Sequence, residues 1–515
     1  GFVDYTVYSD SECTEVAELA GEATVNEGSV GSSDEVTLPA GTYYWQAEYS
    51  GDDVNKASKS PCGAEVLTVT TPITMTLSGE SLTGDEIQVD DEAAVTGGAT
   101  LHGENASEAT GTVEYFVYAD DDCEELVAEA GEVEVEGAEA PPSEEVELEE
   151  TGVYYWQAHY SGDEKNPEAT SVCEATQEIV WDNKTWKYAA LGDSFSSGEG
   201  VWNTGGIFYW PTHTHAGPNW CHRSPEGWPA LIAERAFGKA HVEGPAVFKY
   251  PADRFIFRAC SGAETINIWR AGPVAAADVG GQYDEYILNG NWARPTPAQV
   301  RFMYTPAGGP NNDIAIVSMT ITGNDSGFAQ IAADCIQWPW EVFYSPVGCQ
   351  LTIANEEKEG FKRIEERLPI VLQKVAATAP RAKIRLFLYP RVINFFAPVL
   401  RVGPLGGARI NNRIRGLNGV TAAWSLVNFT ERLNEKIINV ANGAGVGARL
   451  DVNWAMMDAL AGHRIGDAFP WVNRIAVPRP FTESFHPNQC GHRAMAEAAL
   501  PWVAQGAAPI GLCFP

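Results

Sequence analysis

Basic residues are scarce: 34 Lys plus Arg stand against 69 Asp plus Glu in 515 residues, for a formal net charge of −35. So acidic a chain repels polyphosphates and anionic bilayers, which excludes nucleic-acid or anionic-membrane binding as a starting point. Long apolar runs are missing too, since no stretch approaches the about 18 residues needed for a membrane span. No CxxC pair occurs among the ten cysteines and none sits in a His-rich ligand spacing, which puts zinc and dithiol redox chemistry behind structural disulfides. The sequence opens at Gly1 with no Met, basic n-region or apolar h-region, and it is read as a processed or clipped piece of a longer precursor. Wholesale disorder is excluded by what is present, 44% hydrophobic residues including 16 Trp, 18 Tyr and 20 Phe.

The missing charge is missing mainly from one region. Residues 1–180 hold three basic residues (Lys56, Lys59, Lys165) against 42 acidic ones, whereas the rest of the chain holds 31 against 27. Cysteines also split at this point into two even counts, with Cys13, Cys62, Cys123 and Cys173 before it and Cys221, Cys260, Cys335, Cys349, Cys490 and Cys513 after it. Even counts without metal spacing imply an oxidising compartment, so the protein is expected to be secreted and extracellular.

The acidic third is a repeat. Gly41-Thr-Tyr-Tyr-Trp-Gln-Ala-Glu-Tyr-Ser-Gly-Asp52 recurs as Gly152-Val-Tyr-Tyr-Trp-Gln-Ala-His-Tyr-Ser-Gly-Asp163, and Tyr5–Cys13 recurs as Tyr115–Cys123. Period-two stretches such as Val133-Glu-Val-Glu and Val146-Glu-Leu-Glu, separated by Gly/Pro/Asp turns, predict antiparallel β-sandwiches with Trp45 and Trp156 in their cores. The paired spacing suggests one bridge per unit, Cys13 to Cys62 and Cys123 to Cys173. Gly1 aligns with Gly111, so the first unit lacks the leader that the second has at about Pro72 to Thr110, and is expected to be missing its first strands. These units resemble bacterial immunoglobulin-like domains, a likeness that speaks to fold and hardly to function.

After Val180 short strand-like runs (Lys187–Leu191, Phe255–Phe257, Ile314–Met319, Ile384–Tyr389, Arg449–Val452) alternate with helical stretches at Ala354–Thr378 and Ser425–Asn442, with Pro369 as a break point in the first. That alternation predicts a parallel α/β sheet covered on both faces, with function at the strand C-terminal ends. The expected division is 1–71, 72–179 and 180–515.

Directly after the first of these strands comes Leu191-Gly-Asp-Ser-Phe-Ser-Ser-Gly-Glu-Gly200. A serine at a strand-to-helix turn presents its hydroxyl beside helix N-terminal amides, and Ser194 is the candidate nucleophile. Near the C-terminus, Ser484-Phe-His-Pro-Asn-Gln-Cys-Gly-His492 precedes a helix from about Gly491 to Ala498, and His486 is the candidate base because imidazole titrates near neutrality. Between them lie Ala259-Cys-Ser-Gly-Ala263 and Ile321-Thr-Gly-Asn-Asp-Ser-Gly327. The backbone amides of Ser194 and Gly262 and the Asn324 side chain make a candidate three-donor oxyanion hole.

Gly192-Asp-Ser194, Gly262, Gly323-Asn-Asp325 and His486-Pro with Gly491 together resemble the four ordered blocks of the SGNH (GDSL) hydrolase family. The resemblance implies an α/β/α, flavodoxin-like hydrolase domain and three consecutive bridges of the secreted actinobacterial type, Cys221–Cys260, Cys335–Cys349 and Cys490–Cys513; by spacing alone six cysteines allow 15 pairings. Glu483 stands where many members carry the Asp that orients the histidine. In the disulfide-bonded actinobacterial branch a nearby main-chain carbonyl takes that part, and both arrangements stay open. The implied function is a secreted serine esterase or lipase that needs no metal or organic cofactor. The alternatives are a carbohydrate (acetyl) esterase acting on polysaccharide, and a cell-surface adhesive protein with a vestigial hydrolase domain. The expected partners are an ester of a lipid, small molecule or polysaccharide, with cell-wall or polysaccharide contact through the repeats. A cut near residue 180 is expected to leave esterase activity in place.

Other residues have plainer readings. His213 and His215 lack a carboxylate or Cys at ligand spacing, and Asp120-Asp-Asp122 lacks the Gly and spaced ligands of a calcium loop and reads as a solvated acidic turn. Trp202, Phe208, Tyr209, Trp210 and Trp220 line a substrate cleft or pack their insertion against the sheet. Asn105, Asn183, Asn428 and Asn324 lie in sequons that matter only in a glycosylating host, and a glycan on Asn324 would abolish its oxyanion role.

Overall fold

The computed structural model describes the chain apart from residues 27, 35, 37, 39–40, 70–72, 80–81, 104, 183–184, 202–222, 239–240, 244–246, 250–253, 270–298, 306–307, 329–330, 332–345, 394–400, 403–407, 410–418, 466, 468, 474–484 and 514–515. The aromatic insertion with Trp202, Phe208, Tyr209, Trp210 and Trp220, and also His213, His215, Glu483, Cys221, Cys335 and Asn183, lie outside the described residues.

The second acidic unit is a sandwich of two sheets. One contains Ile73–Gly79, Leu82–Gly84, Ala94–Leu101 and Val146–Glu147; the other is built on Thr112–Tyr118, Leu126–Glu134, Gly152–Tyr160, Gln177–Trp181 and Glu86–Asp90. Alternation decides which face is inside: Ile73, Met75 and Leu77 are buried while Thr74, Thr76 and Ser78 are exposed. Trp156 fills the space between the sheets, fully buried, with its indole N–H donated to Glu178 at 2.8 Å. Gly97 makes room for it, since a Cβ there would sit 3.0 Å from the ring.

The first unit has one six-stranded antiparallel sheet, built on Phe2–Tyr8, Val16–Asn26, Gly41–Tyr49 and Glu65–Val69, around a small cluster of Val7, Ala20 and Tyr43. Trp45 is therefore only half-buried, against the core position expected for it: it packs at the edge of that three-residue cluster, with no second sheet over it among the described residues. Cys13–Cys62 and Cys123–Cys173 are bridged, one in each unit.

In the C-terminal part five strands form a wholly parallel sheet in the order β2-β1-β3-β4-β5, where β1 is Lys187–Gly192, β2 Phe255–Phe257, β3 Ile314–Thr320, β4 Lys383–Phe387 and β5 Leu450–Asn453. All seven residues of β3 are buried, as a strand covered on both faces requires. Among the described residues the helices are α1 Ser194–Ser197, α2 Trp228–Phe237, α3 Ile266–Trp269, α4 Pro346–Thr378, α5 Gly419–Asn442 and α6 Gln489–Val503. Helix α4 runs through Pro369 without being divided. On β4, Arg385 and Phe387 face α6 and α2, where Phe387 meets Trp228 edge-on at 5.3 Å, leaving Ile384 and Leu386 for the α4/α5 side. Cys490 is bridged to Cys513 across the end of the chain, and Cys260 is disulfide-bonded.

The second sandwich and this sheet share one core. Val153, Tyr155, Ile179 and Trp181 belong to the same buried cluster as β1 and β3, and Trp181 stacks on Trp186 at 4.5 Å. Polar groups finish the seam: Arg385, fully buried, bonds both Glu86 and Asp451, and Gln88 exchanges hydrogen bonds with Gln505 at 2.7 and 2.9 Å. Within the acidic triplet, Asp120 accepts the N–H groups of Glu124 and Glu125, while Asp121 accepts the Ala448 N–H at 2.7 Å. The triplet is thus partly a docking contact and not simply a solvated turn. A cut near residue 180 would divide this core.

Glu178 faces the interior of the second sandwich, where burial, partly offset by the Trp156 N–H, pushes its carboxyl up to about 7. Between its ordinary value and about 7 the folded chain holds a proton that the unfolded chain releases, so this group's contribution to stability is present below that window and lost as pH rises through it. The difference in stability between wild type and Glu178→Gln is expected to move by about 2–3 kcal/mol between pH 4.5 and 8, in favour of the variant at high pH, in denaturant titrations.

Candidate active site

Strand β1 ends at Gly192, whose φ of +113° and closeness to β3 admit no side chain: a Cβ would stand 2.3 Å from the Thr320 carbonyl oxygen. Gln299 brackets this glycine with two hydrogen bonds, accepting its N–H at 2.8 Å and donating to its carbonyl at 2.9 Å. Asp193 then caps α1 by accepting the Phe195 N–H at 3.0 Å, and Gly198, at φ +94°, closes the single turn. Ser194 is the first residue of that turn, at the C-terminal end of the strand.

His486 reaches the same place from the other end of the chain. Its Nε2 lies 2.7 Å from Ser194 Oγ, although 292 residues separate the two. The loop carrying it is held by a backbone pair with Asn473, by Asn488, which caps α6 with bonds to the Cys490 and Gly491 N–H groups, and by the absence of a side chain at Gly200. A Cβ on Gly200 would sit 2.4 Å from the Pro487 carbonyl oxygen and 2.9 Å from His486 Cβ.

Gly262 and Asn324 occupy turns beyond β2 and β3. The Gly262 turn is tied to β1 by Cys260 N–H to the Gly192 carbonyl at 2.9 Å, and a Cβ on Gly262 would meet open space. Asn324 donates one amide hydrogen to the Ala263 carbonyl at 2.8 Å, leaving its second for another acceptor. Asp325 joins the same two turns by accepting from the N–H and hydroxyl of Thr265 at 2.8 and 2.6 Å, and burial pushes its carboxyl up to about 6. Two non-glycine residues flanking these groups adopt positive φ, Thr322 at +101° and Phe485 at +68°. Such conformations cost about 1–3 kcal/mol each and persist only where the surroundings enforce them.

Several buried groups here were given no role by the sequence. The Glu199 carboxylate is bonded by the Ser261 hydroxyl and has an oxygen 4.0 Å from His486 Nε2. Its carbonyl accepts from Nε2 of His492, whose burial lowers its pKa to about 4 and keeps it neutral. Asp193 is fully buried and pushed up to about 7 by desolvation, with hydrogen bonds from Tyr389, Thr320 and the α1 backbone opposing the shift. Glu199 stands in the quoted Gly-Glu-Gly segment after the nucleophile motif and Tyr389 ends a strand-like run, and those positions were the signals for them.

No protein-family model matches the chain. A lipase of Streptomyces rimosus is 26% identical over 305 residues, covering 59% of this chain and 81% of the relative. Lipase 1 of Streptomyces coelicolor is 25% identical over 304 residues with the same coverage. Among solved structures, a phospholipase A1 from Streptomyces albidoflavus NA297 is similar at 25% identity and a TM-score of 0.39, over 62% of this chain and 100% of that one.

Proposed function

We propose that the chain is a secreted serine carboxylic-ester hydrolase of the SGNH (GDSL) type, its catalytic region preceded by immunoglobulin-like units. The observation that carries this reading is the 2.7 Å approach of His486 Nε2 to Ser194 Oγ at a strand end, and sequence similarity to Streptomyces lipases supports it. With its other nitrogen protonated, His486 takes the Ser194 proton as Oγ attacks the ester carbonyl carbon. The resulting oxyanion is received by the amides of Ser194 and Gly262 and by the Asn324 side chain. Collapse breaks the bond to the alcohol oxygen, which leaves with the proton from His486. Water then attacks the acyl-enzyme, gives its proton to His486, and the acid departs as Ser194 recovers the hydrogen. Orientation of the imidazole falls to Glu483 or to a main-chain carbonyl beside it.

Incubation with a fluorophosphonate is expected to add a single label, located at Ser194 by peptide mass spectrometry, and to abolish hydrolysis of p-nitrophenyl esters in proportion. Labelling elsewhere with activity retained would refute the assignment. A chain-length series of these esters run beside acetylated xylan separates the acyl-ester reading from the carbohydrate-esterase alternative.

A further inference from the structure

We propose that the Tyr389 hydroxyl is a positioning group that fixes the nucleophile turn relative to the Asn324 turn, an inference that rests on the esterase reading above. Tyr389 follows β4 by two residues. Its backbone is clamped by the buried Asn434 of α5, which accepts the Tyr389 N–H and donates to its carbonyl, both at 3.0 Å. The ring meets Phe195 edge-on at 5.4 Å, which leaves the phenol little freedom.

From this anchored ring the hydroxyl makes two bonds of opposite sense. It donates to Asp193 Oδ2 and accepts the Gly323 N–H at 2.7 Å. Asp193 immediately precedes Ser194, and Gly323 immediately precedes Asn324. One oxygen atom therefore ties the residues before the nucleophile and before the side-chain oxyanion donor. The Asp193 end does not yield, because its other oxygen accepts from the Phe195 N–H at 3.0 Å and the Thr320 hydroxyl at 2.9 Å. At the Gly323 end the approach is close enough that a Cβ would sit 3.0 Å from the hydroxyl, and Thr322, one residue earlier, is held at φ +101°.

A donor that acts on the developing oxyanion is worth most when held within a fraction of an ångström of its place. Loss of the tether should let the strained Thr322–Gly323 segment relax and carry Asn324 with it. Because Asn324 acts in the transition state, the effect should fall on kcat and leave KM nearly unchanged.

The experiment is a double-mutant cycle on the full chain with a p-nitrophenyl ester. Tyr389→Phe, which keeps the ring and its contact with Phe195, is expected to lower kcat roughly 10- to 100-fold with KM within about two-fold. In an Asn324→Ala background the same change should cost less than about two-fold, since the group it positions is gone. Gly323→Ala, which retains the hydroxyl and presses a methyl against it, provides the same cycle should Tyr389→Phe fold poorly. Equal losses with and without the Asn324 amide, in either cycle, overturn the positioning role and leave the esterase reading standing. Wild-type kcat in Asn324→Ala alone overturns the oxyanion assignment and the proposal with it.

Discussion

Ser194→Ala, His486→Ala and the double variant are expected to fall to the same floor, roughly 10⁴- to 10⁶-fold below wild type in kcat, because the proposed nucleophile and base would act as one unit. Each single change stops the proton transfer across the 2.7 Å contact between Ser194 Oγ and His486 Nε2, and the second change then has nothing left to remove. Residual rate above water would come from the oxyanion donors and substrate binding. Folding should be intact: Ser194 holds its place through Gly192 and the Asp193 cap, neither of which uses the hydroxyl. Circular dichroism and thermal melts check that, and kcat for the three variants checks the rest. Multiplicative losses in the double variant would mean that the two side chains work in separate steps.

The second large effect concerns where the chain can be cut. Residues 72–515 are expected to be soluble, with unaltered kcat and melting temperature, since the first unit shares no buried cluster with the rest among the described residues. Residues 180–515 are expected to aggregate or to melt far lower. That cut strips Val153, Tyr155 and Ile179 from the common core. At about 1.5–3 kcal/mol for each fully buried large side chain, the loss is comparable with the about 5–15 kcal/mol that hold a domain folded. It also removes Glu86 from buried Arg385 and Lys383. Purified 180–515 with a wild-type melting temperature would show the second sandwich to be dispensable.

What could be read before the structure, and what could not, follows from the range of the forces involved. Each of the five strand-like runs after Val180 overlaps a strand of the sheet, displaced by no more than two residues at either end, because apolar runs bounded by turn residues are local patterns. Ser194, Gly262 and Asn324 stood out because glycine-bearing turns at strand ends are also local, and His486 because its imidazole stands just before a helix start, another local pattern. Arg385 did not, since a cation in an apolar run carries no sign of the carboxylate 299 residues away that makes its burial tolerable. Nor did Tyr389, whose two partners lie 196 and 66 residues away. Trp45 misled for the opposite reason: its local sequence matches that of Trp156, but the sheet that buries Trp156 comes from residues preceding the repeat.

The charge pairs in the seam bear on how this acidic chain responds to ionic strength. Repulsion among the carboxylates spread over the two β-rich units acts largely through water, and it fades over about 8–10 Å in physiological salt and faster in brine. Glu86 with Arg385 and Lys383, by contrast, is largely buried and much less screened. Rising salinity therefore weakens the repulsion within the acidic units without loosening the joint between the second sandwich and the sheet that carries Ser194.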